Sequence, residues 1–118
     1  MTTFYNQEGK AIAYTEDGEH IYLFNGSPAG FIEKDSVFSY SGKHLGCIKE
    51  GWIVDQQGRR VFFTEDASGG PSRPVKQVTP VKSVKAVKPV KGTREMRPTT
   101  PTLTMSWSDF SSKSFFEQ

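Results

Sequence analysis

Four glycines, Gly9, Gly26, Gly42 and Gly58, stand 17, 16 and 16 residues apart, and aligning the chain on them exposes a repeat. Five residues before each glycine stand Phe4, Ile21, Val37 and Ile53; four before stand Tyr5, Tyr22, Phe38 and Val54. Three after stand Ile12, Ala29, Leu45 and Val61, and five after stand Tyr14, Phe31, Cys47 and Phe63. The column between these last two is small at Ala13, Gly30 and Gly46 and broken by Phe62. Self-similarity at a fixed period marks a repeat architecture, in which one unit cannot bury its apolar face alone.

Each unit reads as strand, tight turn, strand. Its arms are rich in β-branched and aromatic residues, and its turn pairs are Glu8-Gly9, Asn25-Gly26, Ser41-Gly42 and Gln57-Gly58. Asn25-Gly26 predicts a type I′ turn, which needs positive φ at both central residues. The other three offer one glycine, suited to a single left-handed residue or a G1 bulge. One hairpin is marginal in water, so the four must share a core. Closing them around an axis gathers the apolar columns and removes open edges. The expectation is an all-β fold of four tandem hairpins about a pseudo-fourfold axis, over residues 1–66.

The units Ile21-Tyr22-Leu23-Phe24-Asn25-Gly26-Ser27-Pro28-Ala29-Gly30-Phe31-Ile32 and Tyr40-Ser41-Gly42-Lys43-His44-Leu45-Gly46 resemble those of the four-fold β-flower family. These are small bacterial proteins built from four hairpins about an axis. The resemblance covers about residues 4–66, and the aromatic end at Trp107-Ser108 and Phe115-Phe116 is similar to the family's C-terminus. It implies the closed fold and brings no catalytic or binding residues with it.

Beyond the repeats lies a different kind of chain. From Val75 to Gly92 it runs in triplets, with Val first in all six and Lys second in five. A period of three matches neither strand nor helix but does match polyproline II. With Pro71, Pro74, Pro80, Pro89, Pro98 and Pro101 nearby, residues 67–105 read as an extended or disordered, solvated linker. Charge divides at the same boundary. Residues 1–66 hold six Lys/Arg against ten Asp/Glu (net −4), and residues 67–118 hold nine against three (net +6). Lys76, Lys82, Lys85, Lys88, Lys91, Arg94 and Arg97 are therefore candidates for gripping a polyanion or nucleic acid. No aromatic interleaves them, so contacts would be independent of sequence. The opposite charge of head and tail also allows them to meet each other.

Residues 106–118 regain aromatic content. Ser106 with Asp109 three later resembles a capping box and predicts a short helix there. Trp107, Phe110, Phe115 and Phe116 should bury, either by docking on the head or against a protein partner or second copy.

Little here promises chemistry. His44 and Cys47 are three apart, which on an ideal strand sends their side chains to opposite faces, and Cys47 occupies an aromatic column. Two histidines and one cysteine do not make a four-ligand zinc site. No metal, cofactor or catalytic residue is expected, and no phosphate-binding loop or nucleophile elbow is present. One cysteine, no apolar leader and no run of about 20 apolar residues lead to a cytoplasmic expectation without a membrane span. The expected function is a non-enzymatic binding or scaffolding module, the alternative a polyanion binder working through the tail.

Overall fold

The computed structural model describes residues 1–118. Its eight strands are β1 (Thr2–Tyr5), β2 (Ala11–Thr15), β3 (His20–Leu23), β4 (Pro28–Glu33), β5 (Ser36–Phe38), β6 (His44–Lys49), β7 (Trp52–Asp55) and β8 (Arg60–Phe63). Each pairs antiparallel with its neighbours, and Tyr5 of β1 meets Phe63 of β8 to close the barrel. The predicted all-β closure of four hairpins is what the chain adopts.

All four hairpins slip register at the same place. Phe4 faces Ala13 while Tyr5 faces Ala11, and the skip recurs at Ile21/Tyr22, Val37/Phe38 and Ile53/Val54. The bulged residue is Ile12, Ala29, Leu45 or Val61, one apolar column of the repeat. A bulge interrupts the strict alternation of faces. The columns two and five residues after each glycine therefore fall on one face, and it is the outer one. Asn25-Gly26 departs from the type I′ expectation. Asn25 has no positive φ, and Leu23 N–H bonds the Ser27 carbonyl as Asn6 N–H bonds that of Lys10. With Gly26 left-handed, Asn25 instead uses its Oδ1 to accept the Ser27 N–H at 2.9 Å.

Phe4, Ile21, Val37 and Ile53 meet inside the barrel, and the C-terminal end completes that core. A short 3₁₀ helix, Lys113–Glu117, drives Phe115 and Phe116 into the interior against Phe62, with ring centroids 5.7 Å away for both. The small column now has its reason. A Cβ on Gly46 would stand 2.1 Å from the Val54 carbonyl oxygen and 3.3 Å from the Phe115 ring, and one on Gly30 would stand 2.5 Å from the Phe38 carbonyl oxygen, so the neighbouring backbone excludes a side chain at both. The larger Phe62 is one of the rings that the two phenylalanines pack against. The helix expected from Ser106 and Asp109 does not form. The Ser106 carbonyl and Ser108 N–H are bonded to the backbone of Arg60, which holds that stretch beside β8. The 3₁₀ turn starts later, capped by Ser112 Oγ.

Candidate functional site

The segment that reads as a free linker is a belt around the barrel. It has no helix or strand, yet Gln77, Ala86, Glu95 and Thr104 each donate a backbone N–H to the carbonyl of a turn glycine, Gly9, Gly26, Gly42 and Gly58 in turn. The donors are nine residues apart, three of the sequence triplets per hairpin. At an extended rise of about 3.1 Å, nine residues span roughly 28 Å and four such arcs roughly 112 Å. That is the girth of a disc about 36 Å across, and the molecule measures 36 × 35 × 22 Å. The Val edge of the belt faces outward and is fully exposed.

The Lys edge faces inward, and its targets are the aromatic columns. At three of the four seams between hairpins the barrel presents a cross-strand aromatic pair: Tyr14/Tyr22, Phe31/Phe38 and Tyr5/Phe63. Above them lie Lys82 and Lys85 (5.3 and 5.6 Å from the Tyr14 and Tyr22 centroids), Lys91 and Arg94 (4.7 and 6.0 Å from Phe31) and Lys76 (5.5 Å from Tyr5). Cations over ring faces attract through the ring quadrupole. The same side chains reach head carboxylates: Lys82 and Lys85 take Glu16, Lys91 takes Glu19, Arg94 takes Glu33, and Lys76 stands 3.8 Å from Glu65. Hydrogen bonds from Lys82 and then Lys85 hold the Glu16 carboxyl down at about 2. Five of the seven candidate cations are thus distributed around the barrel and engaged within the chain. Lys88 and Arg97 make no ion pair.

The seam between β6 and β7 breaks the pattern on both sides at once. Its cross-strand pair is Cys47 and Val54 instead of two rings. The belt residues in register, nine beyond Lys91 and Arg94, are Thr100 and Leu103. The space left is a cavity of about 130 Å³. Its barrel wall includes Ser36, His44, Cys47 and Asp55, and its outer wall is the belt from Arg97 to Pro101. Asp35 and Lys49 also line it. The bulge at Leu45 explains how His44 and Cys47 come to share it. They face Phe38 and Ser36, two apart on β5, and so lie on one face despite their odd spacing.

Burial sets the chemistry of this wall. It pushes the Cys47 thiol up and the His44 imidazole down, so both are neutral near pH 7. His44 Nε2 lies 3.2 Å from Ser36 Oγ, its backbone N–H donates to Glu95 Oε1 at 2.8 Å, and its Nδ1 is buried without a partner. A nucleophilic triad would place a carboxylate on that nitrogen. The wall therefore offers neutral donors and acceptors ringed by charges.

The four aromatic candidates divide. Phe115 and Phe116 are in the core, Trp107 packs edge-on to Trp52 at 5.4 Å, and Phe110 remains 41% exposed. The cavity residues escape sequence reasoning because the bulge reverses the face that strand alternation assigns. One signal was available. The aromatic column fails at Cys47, and the Val-Lys triplets fail after Gly92, in the arc that covers it.

A family model described as 4-fold beta flower protein matches residues 2–116, and the chain belongs to that family. No curated protein and no solved structure matches it.

Proposed function

We propose that this member of the 4-fold beta flower family is a non-enzymatic binding module whose ligand site is the cavity at the β6–β7 seam. The observation that carries the reading is the joint break in two repeats. Hollows lie beside the other three seams too, but there rings and cations stand between barrel and belt and the hollows are more open; this one is more enclosed than those and is lined by polar groups. A cavity of about 130 Å³ approaches the roughly 150 Å³ that admits a benzene-sized guest. Catalysis fits the wall poorly, since the thiol is held protonated and the imidazole Nδ1 has no carboxylate to orient it. Scaffolding through the tail also fits poorly, because the belt and the Phe115-Phe116 plug are already occupied in cis.

The variant Cys47→Phe tests this. It restores the residue type that the other repeats carry, so the fold should tolerate it while the cavity closes. Thr100→Lys restores the missing cation from the belt side. Small polar probes (amino acids, short carboxylates, polyols) should shift the backbone amide signals of Ser36, Gly46, Cys47 and Thr100 in the wild-type protein and leave both closed variants silent. Equal responses in the open and closed proteins would refute the site.

A further inference from the structure

We infer that the seam cavity takes a small zwitterion, a molecule of amino-acid size carrying one carboxylate and one ammonium; this rests on the cavity being the ligand site. At the other three seams the belt cations find head carboxylates, as Lys76 does with Glu65, Lys85 with Glu16 and Arg94 with Glu33. The open seam also has two cations, Lys49 and Arg97, and two carboxylates, Asp35 and Asp55. None of the four forms an ion pair. Their influence converges on one point, for Lys49 and Arg97 pull the Cys47 thiol down while Asp35 and Asp55 push it up.

Their placement follows the hairpin. Asp35 directly precedes β5, and Lys49 ends β6, so both stand at the end where hairpins are linked. Asp55 ends β7 and fixes its turn, its Oδ1 accepting the N–H groups of Gln57 and Arg59 at 2.9 Å. Arg97 lies two residues beyond Glu95, which is bonded to the turn at Gly42. Each end of the cavity thus carries one charge of each sign, with the neutral Ser36, His44 and Cys47 between. A ligand of one sign would satisfy one pair and face repulsion from the other. A zwitterion gives each sign its complement, and a long apolar tail has no wall to lie against.

Amide chemical-shift titration of the full chain with five probes tests the class: glycine, serine, acetate, methylammonium and uncharged acetamide. Glycine and serine should shift Ser36, Gly46, Cys47 and Thr100 and bind at least about tenfold more tightly than the other three, a difference of about 1.4 kcal/mol. Asp35→Asn and Arg97→Gln should each weaken glycine without altering the melting temperature, both groups being exposed. If acetate or methylammonium alone binds at the seam as well as glycine, the zwitterion assignment is wrong and the cavity remains a ligand site. If no probe shifts seam amides at tens of millimolar, or the shifts persist in Cys47→Phe, the cavity itself is not the site.

Discussion

Replacing Phe115 by alanine tests whether the barrel depends on its own C-terminus. Phe115 is fully buried, its ring centroid 5.7 Å from Phe62 and 5.2 Å from Phe116, and its ring lies close against Gly46. Large-to-small changes at such a site cost about 3–5 kcal/mol, the removed area plus the void left behind. A domain of this size has about 5–15 kcal/mol in all. At roughly 4 °C per kcal/mol, a value between those of smaller and larger domains, the melting temperature should fall by about 12–20 °C. Phe110→Ala is the internal control, since that ring is 41% exposed and its loss should stay within about 0.5 kcal/mol. Thermal melts followed by circular dichroism read both variants. A plug supplied by the same chain also predicts a wild-type melting temperature that does not change with protein concentration. A fall of less than about 4 °C for Phe115→Ala would refute the plug. A concentration-dependent melt would move it to a second copy.

Three further outcomes follow from the belt. Gly42 has φ of +98°, and a Cβ there would stand 2.0 Å from the Thr93 carbonyl oxygen, so Gly42→Ala should cost about 1–2 kcal/mol for the left-handed residue and also lift the belt, read as faster amide exchange at Glu95. Lowered from 4.5 to about 2, Glu16 contributes binding of Lys82 and Lys85 that is fully present above pH 4.5 and lost as pH falls through about 2; proteolysis near Lys82 by an acid-active protease should accelerate across that window and no higher. Duplex DNA binding should be weak, with a log–log salt slope near −1.8 if only Lys88 and Arg97 are free, against about −6 if all seven candidate cations gripped phosphates. A slope near −6 would show that the belt leaves the barrel and works as a polyanion arm.

Much of this architecture was legible because both repeats are written in apolar and turn residues. The glycine register and four aligned columns predict strands, turns and closure, since each column is apolar or aromatic throughout and only a shared interior or a shared outer face can use it. The bulge three residues past each turn glycine, distinct from the G1 bulge the turns suggest, was invisible for a physical reason. An extra residue in a β ladder changes which side chains share a face without changing which residue types are apolar, so Ile12, Ala29, Leu45 and Val61 look like ordinary strand positions. The same blindness separated His44 from Cys47.

The belt was hidden differently, by a period that is a multiple of another. Triplets of Val-Lys-X describe an extended chain and say nothing of what it lies on. The longer period is in the prolines, for Pro71, Pro80, Pro89 and Pro98 are nine apart. A nine-residue register in the tail beside four hairpins in the head is the proportion of a rim to a disc, because nine extended residues and one quadrant have the same length. Once the two periods are matched, their departures can be compared position by position. The head loses its ring at Cys47 and the tail loses its cation at Thr100, and these two residues lie together only if the tail is wrapped in this register. Independent drift of two repeats would scatter such departures around four seams. Their coincidence at one seam, with a polar cavity between them, is what supports reading that seam as the proposed ligand site.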